Sequence, residues 1–431
     1  MLIHVVQPGD TLYSIARKYK VTVSQIIQDN GLEDMDNLVI GQTIVILYPE
    51  ETYTVKEGDT LASIADNHGV TLIELLRNNP YLSNRDFIYP GEVLTIRYGN
   101  RKGKIVTNGY TYPFIDMNVL KKTLPFLTYL TIFNYTAGST GEVIEYDRGD
   151  QELVAAARAY GVAPIMLVTT MSQRGEPNLE AASNILTNVE YQNRHIEQVI
   201  SVLKNKGYYG VNFSFQYITP ANLYLYEAFL QNIITNINRE GFPVFITINP
   251  QIYYENNEAI FVPVDYTALG RMADTINLLS YNWGQSFGPP FPFPASKVYE
   301  YLSYASSLIP PDKILIGLPL IGYDWELPYI PDQSRGYALS TDAAVRLADE
   351  VGVPIEYNEA YEAPFFMYTT LQSATEHIVW FKDARSVEWL TNLVPEFNLE
   401  GVGIWNIMQF FHQLWLIVNS EYEIETVPLT N

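Results

Sequence analysis

Two apolar patterns divide the chain. Up to about residue 98, short alternating segments flank polar turns and brief amphipathic stretches. Beyond residue 104, apolar runs of three to six residues are separated by longer stretches of helical period. These runs lie at 105–107, 129–133, 163–168, 210–215, 244–248, 275–279, 314–318 and 401–405. Helical patterns fill gaps between them, for example at 193–205 and 221–239. Eight strand–helix units in this order predict the α/β class, a (β/α)8 TIM barrel over 104–427. In such a barrel the strand C-terminal ends and the loops after them carry the site.

The N-terminal segment repeats itself. His4-Val5-Val6-Gln7-Pro8-Gly9-Asp10-Thr11-Leu12 realigns with Tyr53-Thr54-Val55-Lys56-Glu57-Gly58-Asp59-Thr60-Leu61 at an offset of 49 residues. Ser14-Ile15-Ala16 realigns with Ser63-Ile64-Ala65, and Asn30 with Asn79. Ile40-Gly41-Gln42 corresponds to Pro90-Gly91-Glu92 at an offset of 50, with Tyr89 just before it. Each copy, 1–48 and 51–98, reads strand, turn, helix, helix, strand. Asp10 or Thr11 is placed to cap the first helix.

These repeated residues resemble the LysM family, over both copies. The resemblance implies two modules that bind N-acetylglucosamine-containing glycans in a groove between the loop after the first strand and the loop before the second. By position it points to Gly9, Asp10, Thr11, Asn30 and Ile40, and to Gly58, Asp59, Thr60, Asn79 and Tyr89. Read without a ligand, the same residues are turn and capping positions. Two weak sites in tandem gain through effective concentration on a polymer.

Composition narrows the partners. With 48 acidic and 26 basic side chains the net charge is -22, unsuited to nucleic acid, which needs clustered Lys and Arg. The absence of cysteine excludes a disulfide framework and a cysteine nucleophile. Five scattered histidines show no metal-ligand spacing, and no cofactor is expected. No run is long enough to span a membrane, and MLIHVVQPGD lacks the features of a secretory signal peptide. A monomer is expected. The 33 tyrosines and 6 tryptophans suit packing against the flat faces of sugars as well as a core.

The strand ends carry a second resemblance. Leu279-Ser280-Tyr281-Asn282-Trp283-Gly284, the stretch Ile316-Gly317-Leu318-Pro319 leading to Tyr323-Asp324-Trp325, and Trp405 on the last strand resemble glycoside hydrolase family 18. In domain order the chain is similar to its spore cortex-lytic N-acetylglucosaminidases with tandem LysM modules. The resemblance implies peptidoglycan as ligand, packaging into the spore outside the cortex, and retaining, substrate-assisted hydrolysis. It also implies that Trp405 floors the reacting sugar, that Tyr281 beside Asn282 holds its acetamide, and that Trp283 and Trp325 wall the cleft. The spacing from Trp325 to Trp405 predicts no room for the α+β insertion of many chitinases, hence an open cleft. Trp380, Phe381 and Trp389 read as core.

The family's signature on strand four is Asp-x-x-Asp-x-Asp-x-Glu. Here those positions are Tyr209, Asn212, Ser214 and Gln216, none acidic. Strand alternation puts Asn212, Ser214 and Gln216 on one face and Val211, Phe213 and Phe215 on the other. A polar layout is kept, but a glutamine amide has no proton to give near neutral pH. Two readings follow: a member that binds glycan without cutting it, or one in which Asp116, Glu145, Asp324 or Glu326 replaces the lost acid.

Overall fold

The computed structural model describes the chain except residues 33–36, 84, 86, 100, 172–177, 215–217, 251, 256–257, 281–289, 331–332, 371–373 and 430–431, with backbone alone at 254 and 258. Each repeat folds as two antiparallel strands around two short helices. The first pairs Leu2–Val5 with Thr43–Ile46 and holds Leu12–Tyr19 and Val23–Asn30. The second pairs Glu51–Thr54 with Val93–Arg97 and holds Leu61–His68 and Leu72–Asn78. Threonines start all four helices: Thr11, Thr22, Thr60 and Thr71 each accept an otherwise orphaned backbone N–H. Each module has its own small apolar core, such as Ile15, Ile26 and Ile44 in the first and Ile64, Leu75 and Leu94 in the second.

All eight anticipated strands form one parallel barrel: Gly103–Thr111, Tyr129–Ala137, Ala163–Thr169, Gly210–Ser214, Val244–Ile248, Thr275–Leu278, Ile314–Pro319 and Gly401–Trp405. Each pairs with its sequence neighbour, and strand eight pairs with strand one, closing the ring. The helices 193–205 and 221–239 of the sequence pattern are observed as Val189–Lys206 and Leu223–Arg239. After the last helix, His412–Glu421, the tail adds Tyr422–Ile424 beside strand one, and Val427 and Leu429 close the barrel bottom.

The expected absence of an insertion is overturned. Between strand seven and the helix Ala384–Phe397 lies a five-stranded antiparallel sheet, ordered Gly336–Leu339, Gly322–Leu327, Glu376–Trp380, Ala363–Thr369 and Glu356–Asn358, with the helix Thr341–Val351. Antiparallel strands need only tight turns, so a short stretch suffices. Its strands also mix polar and aromatic residues, as in Tyr323-Asp324-Trp325-Glu326, and lack the continuous apolar run of a barrel strand. Val379, Phe366 and Phe381 pack against Ala344, Val345 and Ala348 of the added helix. Trp380 is also buried, and Trp389 packs half-buried on the main core.

At the barrel bottom, one carboxylate oxygen of Glu400 is buried without a hydrogen-bond partner among the described residues. Burial pushes this carboxyl up to about 7, with Glu425 and Asp312 adding to the effect and the Thr275 hydroxyl opposing it. A raised folded pKa means that stability is fully present below the ordinary carboxyl value and is lost as pH rises through 7. Glu400→Gln is therefore expected to raise the melting temperature at pH 8 and leave it nearly unchanged at pH 4.5, as read by calorimetry.

Candidate functional site

The barrel interior is layered by strand alternation. At the bottom lie Val106, Tyr129, Ile165, Phe245 and Leu315. Above them come Asn108, Thr131, Asn212, Thr247 and Asn277, all buried. The top is aromatic and apolar: Tyr110, Phe133, Leu167 and Trp405, with Tyr112 against them. Hydrogen bonds crossing the interior prove the orientation. Asn212 Nδ2 donates to the Tyr110 hydroxyl at 3.0 Å, and the Thr247 hydroxyl donates to Asn212 Oδ1 at 3.0 Å. Strands one, four and five thus meet at one side chain. Val211 and Phe213 pack outward, in the core between barrel and helices.

Ser214, at the end of strand four, is buried one step above Asn212, and its carbonyl accepts from the Thr169 hydroxyl at 2.9 Å. Burial pushes the Tyr110 phenol up to about 12, against the hydrogen bonds from Thr247 and Asn212, so it stays protonated at neutral pH. Trp405 lies among Tyr110, Tyr112 and Phe133, at 5.9, 5.7 and 6.2 Å between ring centroids. Tyr112 stacks on Phe114 at 5.2 Å, and Phe114 is 66% exposed. The sequence signal for this wall is the period-two aromatics Tyr110, Tyr112 and Phe114, which run off the end of strand one. Trp325 is buried on the inserted sheet, between Tyr323 and Tyr329 and over Gly336. Gln216, Tyr281, Asn282 and Trp283 lie outside the described residues.

In the modules, Thr11 and Thr60 are the caps, each in a reciprocal pair with Ser14 or Ser63. The cap is Thr11 alone; Asp10 instead accepts from the Gln7 amide at 2.8 Å and lies 2.9 Å from His4 Nε2. Asp59 accepts from the Lys56 amide and the Tyr53 hydroxyl. The backbone bond to Gln7, and after it His4, holds Asp10 below the ordinary carboxylate range; Lys56 and Tyr53 do the same for Asp59. Gly9 and Gly58 both take φ +87° in open space. Asn30 and Asn79 point inward: each donates to two carbonyls and accepts one backbone amide of the second strand, from Val45 or Thr95.

The sequence model of the LysM domain matches residues 4–47 and 53–97, and that of glycosyl hydrolases family 18 matches residues 172–409, more than half of the chain. The chain belongs to glycoside hydrolase family 18. It is 34% identical to the cortical fragment-lytic enzyme of Bacillus anthracis, over 97% of this chain and 98% of that one. Identity to the Bacillus subtilis (strain 168) enzyme of the same name is 32%, over 98% and 99%. The crystal structure of the Bacillus cereus spore cortex-lytic enzyme SleL superposes with a TM-score of 0.78 at 31% identity, covering 99% of both chains.

Within this family 18 barrel, the carboxylates of Asp116, Glu145 and Asp324 are engaged by neighbouring groups. Asp116 caps the helix Met117–Thr123. Glu145 receives a hydrogen bond from Lys206 at 2.6 Å. Asp324 accepts from the Tyr368 hydroxyl at 2.7 Å and lies 2.9 Å from His377 Nδ1. Alternation puts Asp324 and the exposed Glu326 on the sheet face opposite Tyr323 and Trp325. Tyr323 is the residue on the mouth side: after burial, it is what raises the Tyr112 phenol, to about 12.

Proposed function

We propose that this chain holds N-acetylglucosaminyl glycan of the spore cortex and does not cut it. One observation carries this reading. The four positions that align with the family 18 signature acids are Tyr209, Asn212, Ser214 and Gln216, none acidic, and the inward Asn212 is held by neutral partners, the Tyr110 and Thr247 hydroxyls. Substrate-assisted hydrolysis needs a proton donor at the glycosidic oxygen and a carboxylate that orients the acetamide. Gln216 and Ser214 supply hydrogen bonds and no proton.

Binding remains well provided for. Tyr112 and Phe114 beside Trp405 are the aromatic surface proposed to meet a pyranose, and the side chains of Ser214, Gln216, Tyr281 and Asn282 have the chemistry to donate to an acetamide carbonyl. The LysM domains and the full-length likeness to cortical fragment-lytic enzymes support peptidoglycan as the polymer and the spore periphery as the place. Co-sedimentation of the purified chain with insoluble cortical peptidoglycan tests the binding half. Saturable pelleting is expected; a chain left wholly in the supernatant would sink the reading.

A further inference from the structure

The two LysM domains share a motif, yet the structure uses their surfaces differently. Hydrogen bonds fix the correspondence: Gly41 N donates to Val6 O as Gly91 N does to Val55 O, and the amides of Val39 and Tyr89 donate to Gln42 and Glu92. Val39, rather than Ile40, is therefore the partner of Tyr89. Val39 is 5% exposed and belongs to the apolar core of the inserted sheet, with Ile355 and Phe381. Tyr89 is 56% exposed.

The contrast continues along the loop and strand. Ile355 N donates to Ile40 O at 2.8 Å, and Arg385 Nη2 to Gly41 O at 3.3 Å. A Cβ on Gly41 would stand 1.8 Å from the Ile355 carbonyl oxygen, whereas one on Gly91 would meet nothing within 4 Å. Thr43 exchanges two hydrogen bonds with Gln413 of the last helix, at 2.9 and 2.6 Å; its counterpart Val93 is exposed. The second module docks by its helix instead, where Asn78 accepts from Asn419 at 2.8 Å. That leaves Phe87 and Tyr89, in the loop before its second strand, exposed and packed edge to face at 5.2 Å. An exposed aromatic pair of this kind is a binding platform, since such rings add large rigid contact area.

We infer that the modules have divided their work: the first is an internal clasp between the last barrel helix and the inserted sheet, and the second alone takes N-acetylglucosaminyl glycan, on Phe87 and Tyr89. This rests on the reading that the chain binds such glycan. The clasp fixes the inserted sheet, one side of the barrel mouth, relative to the glycan-holding module.

Co-sedimentation of full-length variants with insoluble cortical peptidoglycan tests the division. Phe87→Ala combined with Tyr89→Ala is expected to weaken binding about tenfold or more, and Ile40→Ser, at the exposed side of the first module's loop, less than about twofold. An equal loss from Ile40→Ser, or no loss from the double variant, overturns the division. A wild-type chain that does not pellet overturns the glycan-binding reading itself. Gly41→Ala and Gly91→Ala share the strain of a positive φ, 86° and 93°. The first is expected to melt several degrees lower than the second; equal melting temperatures contradict the clasp.

Discussion

Ser214→Asp combined with Gln216→Glu is expected to raise hydrolysis of cortical fragments by roughly 10²–10⁴-fold over the unaltered chain, the usual span of a positioned acid. Both changes are needed because each does half of the chemistry. A glutamate at 216 restores a proton at the glycosidic oxygen. An aspartate at 214, two residues before it in the chain, is expected to raise the glutamate's pKa by its charge and to turn the acetamide oxygen toward C1. Position 214 is buried, so the new carboxylate is desolvated and shares its proton with its neighbour. Gln216→Glu alone is therefore expected to recover less than the pair. In the layer beneath, Asn212 is held between the Tyr110 and Thr247 hydroxyls, and this neutral contact does not have to change. Release of reducing ends, compared between the two proteins at equal concentration, measures the gain. A double variant that folds and binds glycan but stays inert would show that the loss extends beyond these two positions.

Lys206→Met is expected to cost about 3–5 kcal/mol of stability, the penalty for leaving a buried charge unpaired. The charge is that of Asp150, fully buried, which takes hydrogen bonds from the Tyr135 and Tyr208 hydroxyls and from Lys206 Nζ at 2.7 Å. This cluster joins the start of the helix Asp150–Ala159 to the end of Val189–Lys206. Burial alone would raise the Asp150 carboxyl; Lys206 and the two hydroxyls outweigh it and hold it below the ordinary range. A lowered folded pKa gives stability that is present above the unfolded value and lost as pH falls through the folded one. The gap between wild type and variant should therefore be full at pH 7 and shrink in strong acid. Urea unfolding at both pH values reads it. Adding Asp150→Asn to Lys206→Met should return part of the loss, since the stranded charge is then gone.

The architecture was readable wherever one period dominated a segment. Barrel strands are buried on both faces, so they stand out as apolar runs, and the module repeat survives as an aligned motif. The inserted sheet escaped because its strands are short and amphipathic, and Asp324 beside Trp325 resembles a loop at a site more than a strand. The LysM resemblance points by position to Asn30 and Asn79 as groove residues, whereas in the fold their amides bind their own second strands. Thr11 and Asp10 were interchangeable as caps on sequence, and the hydrogen bond to Ser14 N decides for Thr11. The different docking of the two modules depends on partners some 300 residues away, Ile355 and Gln413, which no local pattern contains. At the site, alternation along strand four placed Asn212 inward, but the Tyr112–Phe114 wall went unnoticed beyond the end of its strand.

A family 18 barrel whose signature positions carry no acid is expected to hold cortical glycan and leave it intact. Mass spectrometry of cortical muropeptides after prolonged incubation with the purified chain tests this most directly. Fragments of unchanged mass and no reducing ends above a buffer control are expected, under conditions in which the chain pellets with cortical peptidoglycan. New N-acetylglucosamine reducing ends that rise with protein concentration and vanish in Trp405→Ala would contradict it.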